Sequence, residues 1–178
     1  MNGRRVQYGY CSFVLPDGFV IQEEGSFGGG DSTEDTELST ERKSPLCLTL
    51  TSTTVHPEVP NFSESAEDMN PHAYPITLTL NTYVAHFAAS ALDYLHHAAE
   101  ELEKHFTGFQ TDFCQEDRVG EFLAARSQCS YVTNFRIFQL QFAWLAKAVL
   151  VTATMTVTES GVEKAWADLR TFVESVTI

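Results

Sequence analysis

Positive charge is scarce in this sequence: 11 Lys and Arg face 24 Asp and Glu over 178 residues, a formal net charge of −13. Phosphate recognition needs a basic footprint, so nucleic acid and anionic membrane surfaces are poor partners. Long apolar runs are missing as well. No uninterrupted stretch approaches the roughly 20 residues that a membrane-spanning helix needs. Met1 to Tyr10 contains Arg4 and Arg5 but neither an apolar segment nor a cleavage site, so no secretory signal is read there. A cytoplasmic protein with no membrane anchor of its own is expected. The four cysteines, Cys11, Cys47, Cys114 and Cys129, are far apart and form no C-x-x-C pair. They read as small, reduced, mostly buried side chains.

Catalytic patterns are also lacking. No G-x-S-x-G elbow occurs, and the carboxylates concentrate in loops where no pair straddles a substrate. Gly25 to Gly30 (GSFGGG) is glycine-rich but has neither the lysine nor the helix start of a phosphate loop. Cys114 and Cys129 fall inside predicted strands without a basic neighbourhood to lower their pKa, which favours core cysteines over a nucleophile. His97, Glu101 and His105 follow i, i+4, i+8 spacing, a pattern that places side chains on one helix face. A third ligand from elsewhere is not identifiable, and the set reads as a solvated polar face. The chain is therefore expected to be a non-enzyme with no metal site and no cofactor.

What is abundant is core material. Hydrophobic residues make up 43%, with 13 Phe, enough for one sizeable domain spanning residues 1–178. Two stretches stand apart from it. Residues 25–44 and 57–75 are acidic, Gly- or Pro-rich, and are expected to be mobile loops inserted into the domain.

The remaining chain divides by period. Tyr8 to Leu15 and Phe19 to Glu24 read as two short strands about a Pro16-Asp17-Gly18 turn, and Leu46 to Val55 as a Thr-rich strand. From Asn81 the spacing turns helical. Val84, Phe87, Ala91, Leu95, Ala98, Leu102 and Phe106 make one apolar stripe, with Asn81 or Thr82 as N-cap and Gly108 ending the helix. Period-2 runs follow at Phe109–Glu116, Glu121–Thr133, Phe135–Trp144 and Val149–Val157; their short turns imply an antiparallel meander. Ser160-x-x-Glu163 predicts a capping box for a last helix with Val162, Ala165, Trp166, Leu169, Phe172 and Val173 on its buried stripe. The fold class is α+β, an antiparallel sheet with two amphipathic helices.

One sheet face escapes this scheme. Opposite the apolar positions lie Phe122 and Arg126, then Phe135, Ile137, Gln139 and Gln141, then Leu150 and Thr152. Such a mixture either lies beneath a second helix or forms a groove for a protein partner.

The order of elements, with Phe13-Val14-Leu15-Pro16-Asp17-Gly18-Phe19 at the first turn and Gly108-Phe109 after the long helix, resembles the DcrB/PsbP-like α/β/α sandwich. Within that group, the acidity and the lack of a signal resemble the cytoplasmic Eag-type effector chaperones of type VI secretion. The resemblance implies a homodimeric chaperone or adaptor that shields apolar helices of a secreted effector. The alternative it implies is an interaction domain for a folded partner, similar to the Ran-binding member of the fold.

Overall fold

The computed structural model describes residues 4–25, 47–52, 77–84, 90–133, 136–146 and 149–178. The two acidic stretches expected to be mobile loops, 25–44 and 57–75, lie outside the described residues apart from Gly25. Among the described residues, nine strands and two α-helices follow one another as β1 (Arg5–Tyr8), β2 (Cys11–Val14), β3 (Phe19–Gly25), β4 (Cys47–Ser52), β5 (Thr77–Val84), α1 (Ala91–His105), β6 (Gln110–Val119), β7 (Phe122–Val132), β8 (Arg136–Ala146), β9 (Val149–Thr158) and α2 (Val162–Ser175). Seven strands form one antiparallel sheet in the order β3-β4-β5-β9-β8-β7-β6. Helix α1 carries the chain from the central strand β5 to the far edge β6. The meander then returns β9 to the side of β5. No described helix is long and apolar enough to cross a membrane.

Alternation across this sheet decides what each face can bury. Leu48, Leu80, Ala153 and Phe142 are successive cross-strand partners and share one face. That face, with Leu50, Leu78, Leu140, Trp144, Val151 and Met155, packs against Ala165, Leu169, Phe172 and Val173 of α2 and forms the main core. The other face runs through Thr49, Thr79, Thr154, Gln141 and Ser127. On it α1 covers only one side, where Ala91 and Leu95 pack with Ala125, Ala143 and Leu150. The α+β class and the sandwich layout follow from these two layers.

Several boundaries differ from the sequence expectation. Tyr8 to Leu15 is not one strand: Gly9, at φ 55°, makes a tight turn that pairs Tyr8 with Cys11, so β1 and β2 form their own two-stranded sheet. Strand β3 accordingly pairs with β4. The helical stripe starts later than Asn81, because Thr77–Val84 is a central strand whose Asn81 and Thr82 face Thr152 and Val151.

The helix caps are exchanged too. Ser90 caps α1: its Oγ accepts from the Asp93 amide at 3.0 Å and donates to the Asp93 carboxylate at 2.8 Å. The serine half matches the capping box expected at Ser160 and Glu163, but here the acid bonds the serine hydroxyl rather than the cap amide. There, Glu159–Gly161 instead forms a 3₁₀ turn, and Gly161 caps α2 without a side-chain bond. Ser90→Ala should lower stability by about 1 kcal/mol, whereas Ser160→Ala should change it by less than about 0.5 kcal/mol. Urea midpoints of the two variants check this assignment.

Candidate functional site

The expected surface of eight residues does not form one patch. Strand β7 pairs with β8 so that Arg126 faces Phe142 and Ser127 faces Gln141. Phe122 and Arg126 therefore share the α2 face, while Ile137, Gln139, Gln141, Leu150 and Thr152 share the opposite, α1 face. Phe135 lies outside the described residues. On the α1 face Ile137, Leu150 and Thr152 are buried, and Gln141 accepts from the Ser127 hydroxyl at 3.1 Å. Leu150 packs beneath α1, so the helix takes up part of the surface that had been open to a partner.

The α2 face of β6 and β7 holds a different group. The register sets Phe113 opposite Gln128, Gln115 opposite Arg126 and Asp117 opposite Ala124. The Arg126 guanidinium lies 5.5 Å from the ring centres of both Phe113 and Trp166, two rings stacked 5.7 Å apart. Its Nε forms an ion pair with Asp117 Oδ2 at 3.1 Å, and Arg170 Nη2 donates to the same oxygen. Arg170 Nη1 also donates to the Arg118 carbonyl at 2.7 Å, and its guanidinium lies 4.6 Å from the Phe142 ring centre. Turning the Gln115 amide lets its oxygen accept from Arg126 Nη2 at 2.8 Å. Trp166 Nε1 donates to Gln128 Oε1 at 2.8 Å, and Gln128 donates on to Asp112 at 2.7 Å.

The physical reason for this order is mutual constraint. A lone arginine over a strand would be mobile, but here cation–π contact, a shared carboxylate and a glutamine amide hold it. About one-third of each of Arg126 and Arg170 stays exposed, so the fixed guanidinium groups still meet solvent. Phe122 is on the same face at the β6–β7 turn and is 43% exposed. Aromatic and guanidinium groups held rigidly at a surface suit recognition, because a partner need not fund their ordering. Of this group, only Arg126 and Phe122 were legible in the sequence. Trp166 had been assigned to the buried stripe of α2, and Phe113, Asp117 and Arg170 gave no local signal.

The other sequence candidates remain scattered. His97 faces Glu100 at 3.7 Å on the exposed side of α1, and Lys104 pairs with Glu101, holding that carboxyl below its usual range. No group of three or more metal-ligating side chains occurs among the described residues. The Cys129 thiol is buried and pushed up to about 12 by desolvation, then by Asp112 and Cys114. The Cys114 thiol is raised by burial as well. Neither has the depressed pKa of an activated thiol.

No family model matches the chain, and no curated protein matches it. Solved structures do. CyanoP, the cyanobacterial PsbP of Synechocystis, aligns with a TM-score of 0.58 at 8% identity, over 98% of this chain and 91% of that one. The Ran-binding protein Mog1p of Saccharomyces cerevisiae aligns at 0.54 and 14% identity, over 100% and 96%. The type VI secretion immunity protein TplEi of Pseudomonas aeruginosa aligns at 0.51 and 12% identity, over 100% and 97%. At such identities these likenesses establish the PsbP-like fold, and they cover nearly the whole of each chain.

Proposed function

We propose that this protein is a non-enzymatic, protein-binding module that engages a folded partner through the Arg126–Trp166–Phe113 surface. The observation that carries the reading is Arg126, held against two stacked aromatic rings and ion-paired to Asp117 while about one-third of it stays exposed. Tryptophan and arginine are the residue types that dominate binding energy at interfaces. The Ran-binding neighbour lends the same reading support from the fold. Cytoplasmic location is part of the proposal.

The test uses the tagged full chain to capture and identify a partner, which is then purified and titrated in a calorimeter. Arg126→Ala should weaken binding by about ten- to thirty-fold, the loss expected of a hot-spot truncation. The fold should survive, because Arg170 still pairs Asp117. Unchanged affinity with a native melting curve would remove this surface from the reading.

A second reading is an adaptor for a type VI secretion effector, a homodimer that shields apolar helices. The likeness to a type VI secretion immunity protein favours it, as does the exposed Phe122 on the same sheet face as the arginine group. Co-expression with effectors that carry apolar helices separates the two. A client that stays soluble only with this chain, bound to a dimer by light scattering, supports the adaptor. A globular partner that binds without any apolar helix supports the first reading.

A further inference from the structure

A cleft of about 330 Å³ opens between the Pro16-Asp17-Gly18 turn and α2, on the side of the molecule that the arginine group does not use. Its volume lies at the lower end of the range for small-molecule sites, roughly 300–1,000 Å³. Leu15, Phe19 and Phe172 give it an apolar lining. The turn is tight: the Phe19 amide donates to the Pro16 carbonyl at 3.1 Å, and Gly18 takes φ 79°, which the second central position of a type II turn requires. That geometry brings Asp17 to the rim.

The polar groups around the cleft differ in what they have left to offer. Ser175 Oγ accepts from the Val14 amide at 3.0 Å and donates to the Phe172 carbonyl at 2.7 Å. Thr171 Oγ1 donates to the Ala167 carbonyl at 2.9 Å. Lys164 and Asp168 compensate one another at 3.0 Å. Asp17 is exposed and makes no ion pair with a described residue. Among the described residues the rim therefore keeps one uncompensated carboxylate, in a chain whose net charge is already −13.

We propose that this cleft binds a small molecule with an apolar body and a cationic head, an aryl- or alkylammonium ligand. The body displaces water from Leu15 and Pro16, over the buried Phe19 and Phe172 rings that floor the cleft, and the ammonium group pairs with Asp17. An anionic head is rejected by the same carboxylate and by the field of the whole protein.

The test is amide NMR of the full chain with three probes of similar body: phenethylamine, phenethyl alcohol and phenylpropionate. Phenethylamine should shift resonances in Leu15–Phe19 and Lys164–Ser175, with about three- to five-fold higher affinity than the alcohol, the scale of one exposed ion pair. Phenylpropionate should leave them unmoved. Asp17→Asn should reduce the amine to the affinity of the alcohol without altering the alcohol itself. Equal binding of phenylpropionate, or no shift in the cleft with any probe, would overturn the proposal. So would a blocked Phe-Lys dipeptide binding more than about ten-fold tighter than the amine, which would make the site a peptide reader. Arg126→Ala should not change any of these results, so the cleft stands or falls apart from the partner surface.

Discussion

Phe172→Ala should destabilise the protein by about 3–5 kcal/mol, the usual loss for a phenylalanine removed from a core. Phe172 is 1% exposed and joins two units that meet nowhere else in sequence. Its ring lies 5.4 Å from that of Phe13 in the β1–β2 hairpin, while its backbone belongs to α2. Among the described residues, the main-chain pairing of β1 and β2 is with each other, apart from one bridge between Ser12 and Thr177. Its attachment to the domain therefore depends on side chains, of which Phe13 and Phe172 are fully buried while Tyr8 and Tyr10 reach Cys47 and Thr82 through their hydroxyls. A domain of this size loses about 2–4 °C of melting temperature per kcal/mol, so a fall of roughly 10 °C is expected. Phe122→Ala, at an exposed position, should stay within about 0.5 kcal/mol of the native protein. A loss below about 1 kcal/mol for Phe172→Ala would mean that the hairpin is not docked on α2 as described.

The contrast between Phe172 and Arg126 shows which features sequence reveals. Phe172 lies on a stripe at helical spacing, and that spacing alone predicted its burial. The meander was legible for the same reason: a run such as Val149, Val151, Ala153, Met155 and Val157 has one apolar face at period 2. Strand β5 was obscured because Val84 stands at helical spacing from Phe87 and Ala91, although it pairs with Val149 in the sheet. The cap at Ser90 then followed the stripe to the wrong position.

Parity within β7 was lost for a subtler reason. Leu123 and Tyr131 made the odd positions look like the core face, yet pairing with β8 places Ala124, Arg126 and Gln128 beside Trp144, Phe142 and Leu140. A shift of one residue in register exchanges the faces of an entire strand, and local hydrophobicity does not fix that register when both faces are mixed. Arg126 sits among core neighbours because Phe113, Trp166 and Asp117 supply its partners. Those residues come from β6 and α2, and no local period connects them.

Cys129 should make the protein sensitive to alkali. Its thiol is 2% exposed, on the α1 face of β7, and burial pushes its pKa up to about 12, with Asp112 and Cys114 adding to the effect. The unperturbed value is 9.0. The folded state thus holds this proton through a range in which the unfolded chain has released it. The associated stability is fully present below about pH 9 and is lost as pH rises towards 12, in total about 4 kcal/mol. Tyrosines and lysines titrate in the same range, and Tyr10 is raised by burial as well, so the informative quantity is a difference between variants. From about pH 8 to about pH 10.5 the native protein should lose about 2 kcal/mol more than Cys129→Ala, read from urea midpoints at each pH. Iodoacetamide should leave Cys129 unmodified in the native protein near pH 8 and label it once urea unfolds the chain. Parallel pH profiles for the two proteins, or rapid native labelling at Cys129, would show that the thiol is open to solvent. That outcome would also restore Cys129 as a reactive group, a reading that its burial now opposes.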